Sequence, residues 1–225
     1  MKRITVLLAE DHAVVREGLR TILEQEDDLE VVGEAENGRR AVTLVKQLRP
    51  AVVIMDISMP LLNGLEATRQ VLRAVPSTKI IVLSAHNDAA YVKNATESGA
   101  VGFLRKQASA REMCRAIREV NRGQVVFGPF NAKFVLENEQ KSLDRAGRMK
   151  PRSCHLTSRE MEVLQLIAEG NANKQTAAEL GVGMKTIERH REHLMAKLNI
   201  HGIAGLTRYA IGAGVIESSV QLTII

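Results

Sequence analysis

The chain is poor in the residues on which many ligand pockets and cross-linked folds depend. It has no tryptophan among its 225 residues, aromatic residues make up 3% of it, and the only cysteines are Cys114 and Cys154. Two cysteines without metal-ligand spacing are too few for a disulfide framework or a thiolate metal site. We therefore expect a cytoplasmic protein with reduced thiols, long enough for two domains that each bury an apolar core.

The sequence also lacks long apolar runs. No run reaches the length of a transmembrane helix, and the first residues lead into a strand pattern rather than a secretory signal, so no membrane partner is expected. Residues 1–120 carry 17 basic and 16 acidic side chains, whereas residues 121–225 carry 14 and 10. Most of the positive excess lies between 121 and 151, where basic residues either contact phosphates or keep the segment solvated.

Short apolar runs alternate with amphipathic stretches of helical length across the first 120 residues. This alternation predicts an α/β doubly wound domain, because the strands of a parallel sheet covered by helices on both sides are apolar on both faces. Five strands are expected, around Ile4–Ala9, Val31–Val32, Val52–Met55, Ile80–Leu83 and Val101–Leu104.

Five polar residues stand at or just past the ends of these runs: Glu10, Asp11, Asp56, Ser84 and Lys106. Ligands of parallel sheets bind at the carboxyl ends of the strands, so these side chains should converge. Three carboxylates brought together repel one another and need a cation, and an all-oxygen donor set suits Mg²⁺. One carboxylate can then attack a phosphoryl donor, while the lysine and the serine bind phosphoryl oxygens.

A structural interpretation of each residue also remains open. An isolated aspartate after a strand is more often a helix cap or a surface charge, and Asp11 could cap the helix expected over residues 13–26. Five such residues in order, each at a strand end, favour a shared site.

These residues and their order resemble the receiver domain of two-component response regulators, a five-stranded flavodoxin-like fold, over residues 1 to about 120. The resemblance makes Asp56 the phosphoacceptor. It implies that the Mg²⁺ ligands are Glu10, Asp11, Asp56 and the backbone carbonyl of Ser58. Met59, Pro60 and Gly64 match the loop after the phosphoacceptor, whereas Gln107 stands where many receivers have proline.

The same resemblance implies a switch. Lys106 grasps the phosphoryl group together with the hydroxyl of Ser84, and Phe103 turns inward when phosphorylation draws in the loop after Leu83. Ser58 and His86 lie where receivers set the lifetime of the phosphoryl group. The expected catalysis is limited to the protein's own phosphoryl transfer and slow autodephosphorylation, so the chain is not expected to be an enzyme in the usual sense.

The receiver domain is expected to end at residue 121, after an amphipathic helix over 108–121. The pattern is then lost over residues 122–152, which contain several glycines and prolines and one possible short helix, Ala132–Gln140, so we interpret this segment as a linker. The second domain is assigned to residues 153–225.

After the linker only helices are predicted, in a small all-α domain of four helices. Thr157 and Glu160 have capping-box spacing, and Gly170 ends the first helix. Helices over 173–180 and 185–198, joined by a short turn with Gly181 and Gly183, form a helix-turn-helix whose second helix enters the DNA major groove. The third helix carries Lys185, Arg189, His190, Arg191, His193 and Lys197, although a charged helix face is often merely solvated.

Residues 155 to about 217 resemble the LuxR-type helix-turn-helix of the NarL/FixJ response regulators, through LTSREMEVLQLIAEG, NKQTAAELGV and KTIERHREHLMAKLNI. By position, the candidates for phosphate contact are Lys174, Thr186, His190 and Lys197. The candidates on the base-reading face are Glu188, Arg189 and Glu192. The resemblance implies a fourth, dimerising helix over about 203–211, where Gly202 and Gly205 are departures that weaken a helix interior. Arg189 could instead pair with Glu192 and only stabilise its own helix.

The two halves together imply a response regulator that a sensor histidine kinase or a small acyl phosphate phosphorylates on Asp56. It would then bind promoter half-sites in double-stranded DNA as a homodimer. The alternative is a regulator whose receiver serves only as a dimerisation surface, independent of phosphorylation. A haloacid-dehalogenase-type enzyme is disfavoured because it needs a carboxylate where Ser58 stands, and a quorum sensor because it needs an aromatic-lined pocket.

Overall fold

The computed structural model of the chain describes residues 3–85, 89–127 and 156–216 and contains two compact units. His86, Cys154 and the possible helix Ala132–Gln140 therefore lie outside the described residues. No helix within the described ranges is both long enough and apolar enough to cross a lipid bilayer.

The first unit is built on a sheet of six parallel strands in the order β2-β1-β3-β4-β5-β6. The strands are β1 (Ile4–Ala9), β2 (Leu29–Ala35), β3 (Val52–Asp56), β4 (Lys79–Ser84), β5 (Gly102–Arg105) and β6 (Val126–Phe127). The helices between them are α1 (Ala13–Glu24), α2 (Gly38–Leu48), α3 (Gly64–Ala74), α4 (Ala89–Ser98) and α5 (Ala110–Asn121). The strand order reverses between β1 and β3, so the crevice in which ligands bind opens at the carboxyl ends of these two strands.

Strands β3 and β4 and most of β1 are buried on both faces, as the apolar runs predict, whereas the outer strands β2 and β6 are mostly half-buried. On one face, side chains such as Val6, Ile54 and Leu83 form a core with α1 and α5. On the other, Leu7 and Met55 are also fully buried, and α2 and α3 pack against their strands. The register of the strand pairs, with Ala9 opposite Met55 and Asp56 opposite Leu83, sets the ends of β1, β3 and β4 beside one another.

The sheet has one strand more than the five predicted. Val126 and Phe127 pair with Gly102 and Phe103, so residues that we predicted to lie in the linker belong to the sheet. A two-residue strand that follows Gly123 is too short to show an apolar pattern, which is why the sequence did not indicate it.

The second unit consists of helices in its described part. They are α6 (Ser158–Ala168), α7 (Asn173–Leu180), α8 (Met184–Leu198) and α9 (Ile203–Gly212), and their bounds confirm the predicted helices to within a residue or two. The capping box is present, because Thr157 Oγ1 accepts from the Glu160 backbone N–H and Glu160 Oε2 accepts from the Thr157 backbone N–H. Between α7 and α8, Gly181 adopts a left-handed conformation with φ of 61°, which allows the tight turn.

The two glycines near α9 lie at its start. Gly202 is the N-cap, outside the helix interior. Gly205 lies in the first turn, and a Cβ atom there would be 2.6 Å from Ile200 Cγ2. Glycine at position 205 therefore allows the helix to approach the preceding turn closely.

Candidate functional site

The carboxyl ends of β1, β3, β4 and β5 bring the five predicted polar residues to one edge of the sheet. Asp56 and Ser84 are the last residues of β3 and β4, Glu10 and Asp11 follow β1, and Lys106 follows β5. The backbone N–H of Lys106 donates to the carbonyl of Ser84 at 2.8 Å, which fixes these two strand ends to each other. The five polar side chains therefore lie together at the strand ends, as predicted.

Lys106 is the central contact of the site. Its Nζ lies 2.9 Å from Asp56 Oδ2, 2.9 Å from Glu10 Oε2 and 3.1 Å from Glu10 Oε1. Asp56 and Glu10 are each 1% exposed, so both carboxylates lose almost all contact with water. One ammonium group thus serves two buried carboxylates, with Asp11 beside them.

Burial and charge both act on the protonation of this cluster. Burial, together with the negative charge of Glu10, raises the pKa of Asp56 to about 7. Burial works against the charge of Lys106 as well, but the hydrogen bonds and charges of Asp56 and Glu10 outweigh it and raise the pKa of this ammonium group. Burial and the nearby charge of Glu10 thus disfavour the ionised form of Asp56 even beside Lys106, and a bound cation would offset the negative charge that ionised Asp56 adds.

His12 is a member of the cluster that we did not predict. Donor atoms of Glu10, Asp11, His12 and Asp56 all lie within 4.8 Å of one another. The ring Nδ1 of His12 is 2.8 Å from Asp11 Oδ1 and 3.1 Å from Glu10 Oε1, and the negative charge of Asp11 is the main cause that raises the pKa of this imidazole. His12 also occupies the N-cap position of α1, so Asp11 is not the helix cap that the structural interpretation required.

Arg16 also supports the site without a sequence signal. Its Nη1 donates to the backbone carbonyl of Glu10 at 2.7 Å, and its Nε donates to Glu34 Oε2 at 3.2 Å. Arg20, one turn further along α1, contacts the other oxygen of Glu34 at 3.3 Å. These contacts hold the backbone of Glu10 against α1 and β2. They could not be predicted from the sequence, because they form only when β1 and β2 lie side by side.

The structure places the remaining predicted receiver residues near the same strand ends. Ser84 is 2% exposed, and Ser58, two residues after Asp56, is half-buried. Phe103 is 4% exposed, so its ring already lies inside the domain in this structure.

In the second unit, the seven predicted DNA contacts lie on α7 and α8. The side chains of Ile187 and Leu194 fix the buried side of α8. On α8, Thr186, Glu188, Arg189 and Glu192 are exposed, and His190 and Lys197 are half-buried. The remaining candidate, Lys174, is exposed on α7. Arg191, which also belongs to α8, donates from Nη1 to Asn173 Oδ1 at 3.3 Å and links α8 to the start of α7.

Two of these residues differ in their freedom to contact DNA. Lys197 Nζ donates to Glu160 Oε2 at 2.8 Å, and this bond lowers the pKa of Glu160 against the effect of its burial. Lys197 therefore ties the end of α8 to the capping box of α6. Arg189, by contrast, has no ion-pair partner among the described residues, so the pairing with Glu192 that we considered is not formed.

Comparisons with known proteins match both units. The model of the response regulator receiver domain matches residues 6–118, and that of bacterial regulatory proteins of the luxR family matches residues 155–210. The oxygen regulatory protein NreC of Staphylococcus carnosus is 38% identical over 92% of this chain and 96% of its own, and the transcriptional regulatory protein DegU of Brevibacillus brevis is 35% identical over 88% and 89%.

A solved structure shows the same combination of units. RcsB of Salmonella enterica serovar Typhimurium, bound to the promoter rprA in the presence of the phosphomimetic BeF₃⁻, is 27% identical with a TM-score of 0.56 and covers 92% of this chain and 98% of its own. With the strand-end acidic cluster in the first unit and the helix-turn-helix in the second, the chain belongs to the two-component response regulators, as a member with an N-terminal receiver domain and a C-terminal domain of the luxR family.

Proposed function

We propose that Asp56 is the phosphoacceptor through which a sensor histidine kinase, or a small acyl phosphate, controls DNA binding by this protein. The observation that carries the proposal is the buried contact of Asp56 with Lys106 beside Glu10 and Asp11. An Asp56 carboxylate oxygen attacks the phosphorus of the donor, the bond from phosphorus to the donor breaks, and the leaving group keeps its electron pair. Lys106 stays within reach of the new negative charge as a point charge.

The donor set fits the magnesium ion that receivers use. Glu10, Asp11 and Asp56 offer only oxygen, with donor atoms within 4.8 Å of one another, and we assign the backbone carbonyl of Ser58 as a further ligand. When bound there, Mg²⁺ supplies charge neutralisation for the incoming phosphoryl group. Ser84 donates its hydroxyl hydrogen to a phosphoryl oxygen. Ser58 and His86, two residues after Asp56 and Ser84 in the sequence, set the lifetime of the phosphoryl group by controlling the approach of the water that hydrolyses it.

In the DNA interface proposed for the second unit, one set of residues contacts the bases and another contacts the phosphates. Glu188, Arg189 and Glu192 form the base-reading face, while Lys174, Thr186 and His190 contact phosphates. Lys197 has a smaller role in phosphate contact than its position predicted, because Glu160 already accepts one of its hydrogen bonds. Phosphorylated copies bind paired promoter half-sites as a homodimer through α9, in the cytoplasm, where the DNA lies.

A regulator that does not depend on phosphorylation is the second candidate. The burial of Phe103, which we predicted to turn inward on phosphorylation, is the observation that favours it. The two candidates differ in one measurement, the affinity for a selected DNA site with and without a phosphoryl mimic. Equal affinities would favour the second candidate, and a rise with the mimic would favour the first.

We expect Asp56→Asn to abolish phosphorylation by a small acyl phosphate in the presence of Mg²⁺, because the amide lacks the nucleophilic oxygen. Intact-mass spectrometry measures the added phosphoryl group directly. The matched control is Asp27→Asn, which changes an exposed aspartate and should be phosphorylated like the wild-type protein. A phosphorylated Asp56→Asn protein would contradict the assignment.

We expect Arg189→Ala and Lys174→Ala to affect DNA binding in different ways. Arg189 is exposed and its guanidinium can pair bidentately with guanine, so its loss should cost about 1–3 kcal/mol on the preferred site and relax one base position per half-site. Lys174→Ala should weaken binding to all sequences alike and reduce the salt slope by about one unit. Selection of bound sequences from random DNA, with titrations at several salt concentrations, measures both effects; an unchanged selected motif for Arg189→Ala would refute base readout by this residue.

A further inference from the structure

The exposed face of α8 carries charged side chains that form no ion pair with one another. Lys185, Glu188, Arg189 and Glu192 are all exposed. Glu188 follows Lys185 by three residues, and Glu192 follows Arg189 by the same spacing. Opposite charges at this spacing can pair on the surface of a helix, but within the ranges that the structure describes neither pair is formed. These side chains are therefore not used to stabilise their own helix.

The same face places like charges next to each other along the helix. Lys185 and Arg189 are four residues apart, and so are Glu188 and Glu192. Like charges at this spacing destabilise a helix, whereas a face that is merely solvated gains from opposite charges there. The pattern therefore favours contact of these four side chains with a molecule outside the chain.

The major groove of DNA offers few partners to a carboxylate. A carboxylate only accepts hydrogen bonds, so Glu188 and Glu192 need an amino group, which in the major groove is cytosine N4 or adenine N6. Adenine carries the acceptor N7 beside its amino group, and N7 repels a carboxylate. Cytosine has no acceptor on its own major-groove edge. Cytosine is therefore the favoured partner of both carboxylates.

We propose that Glu188 and Glu192 each read one cytosine, so that the preferred half-site contains two G·C base pairs in addition to the one that Arg189 reads. Residues four apart on a helix are separated by about 6 Å along its axis and neighbouring base pairs by about 3.4 Å, so the two carboxylates address different base pairs. Phosphates repel both carboxylates, which lowers the affinity for DNA without these cytosines. This inference rests on the proposed base-reading face and adds which bases it selects.

Selection of bound sequences from random DNA by the full-length protein, with a phosphoryl mimic present, tests this inference. Glu188→Gln and Glu192→Gln keep the length of the side chain but replace the carboxylate with an amide, which pairs with adenine N6 and N7. In the selected motif, each variant should change one cytosine per half-site to adenine. In titrations, each variant should bind the wild-type site about tenfold more weakly and a random duplex about twofold more tightly.

The matched control is Glu179→Gln, which makes the same change of charge at an exposed residue of α7 and should leave the selected motif unchanged. A motif that is unchanged in both Glu188→Gln and Glu192→Gln would overturn the proposal, as would a base other than cytosine at the affected positions of the wild-type motif. Failure of the proposed function is a different result, namely a wild-type protein whose affinity for its selected site does not respond to the phosphoryl mimic.

Discussion

Substitution of Gly64 by alanine is expected to destabilise the receiver domain by about 3 kcal/mol, since overpacking against atoms that cannot yield costs about that much. Gly64 begins α3, and a Cβ atom there would be 1.8 Å from the backbone carbonyl oxygen of Asp56 and 3.0 Å from Met55 Cγ. The backbone N–H of Gly64 also donates to the carbonyl of Ile57 at 2.8 Å. The added methyl group would therefore displace either α3 or the end of β3, which carries the phosphoacceptor.

The same substitution at Gly18 is a matched control of opposite sign. Gly18 lies in α1, and a Cβ atom there would have no neighbour within 4 Å. Gly18→Ala should stabilise the domain by about 0.5–1 kcal/mol through its helix propensity. Amide hydrogen exchange of peptides from β3 and β4 measures both changes, and equal effects of the two substitutions would contradict the close contact at Gly64.

Asp56→Asn is expected to stabilise the receiver domain by about 2 kcal/mol at pH 8 without divalent cations. A rise of the Asp56 pKa from 3.8 to about 7 corresponds to roughly 4 kcal/mol, at about 1.4 kcal/mol per pH unit. We expect about half of this value, because water and side chains relax around a buried charge. Asparagine keeps the shape of the side chain but has no charge to bury.

The pH dependence follows from the direction of this shift. Folded Asp56 holds its proton to a higher pH than the unfolded chain does, so the stability of the wild-type domain falls as the pH rises from about 4 to about 7. The difference between Asp56→Asn and the wild-type protein should therefore be small near pH 4 and complete by about pH 8. Added Mg²⁺ should reduce it, because a cation that binds the folded carboxylates stabilises the wild-type domain.

Hydrogen exchange at β3 and β4, corrected for the intrinsic effect of pH, measures this difference. Peptides from α6 to α9 provide an internal control in the same samples and should not respond to the substitution. A variant with the same stability as the wild-type protein at pH 8 in EDTA would show that burial of Asp56 does not strain the fold.

The sheet could be predicted because strands buried on both faces appear in the sequence as apolar runs bounded by polar residues. The last residues of those runs also locate Glu10, Asp56, Ser84 and Lys106, since parallel strands end at one edge. Strand β6 could not be predicted, because Val126 and Phe127 pair with β5 through the backbone. Two residues are too few to show the apolar pattern of a strand.

The supporting side chains could not be predicted, because they act between elements that are distant in the sequence. Arg16 meets Glu34 only when β2 lies beside β1, and Lys197 meets Glu160 only when α8 packs against α6. The exposed position of Arg189 could be predicted from the spacing of Ile187 and Leu194, but its lack of an ion-pair partner in the described part of the chain depends on side-chain geometry.

The short strand β6 bears on how the sheet avoids unwanted association. An open edge strand presents unpaired backbone groups to which a strand of another chain can add. Val126 and Phe127 shield Gly102 and Phe103, half of the four-residue strand β5. A receiver fragment that ends at residue 121 would leave the edge of β5 unpaired and would tend to aggregate through it. A fragment that extends through Phe127 keeps this part of β5 paired.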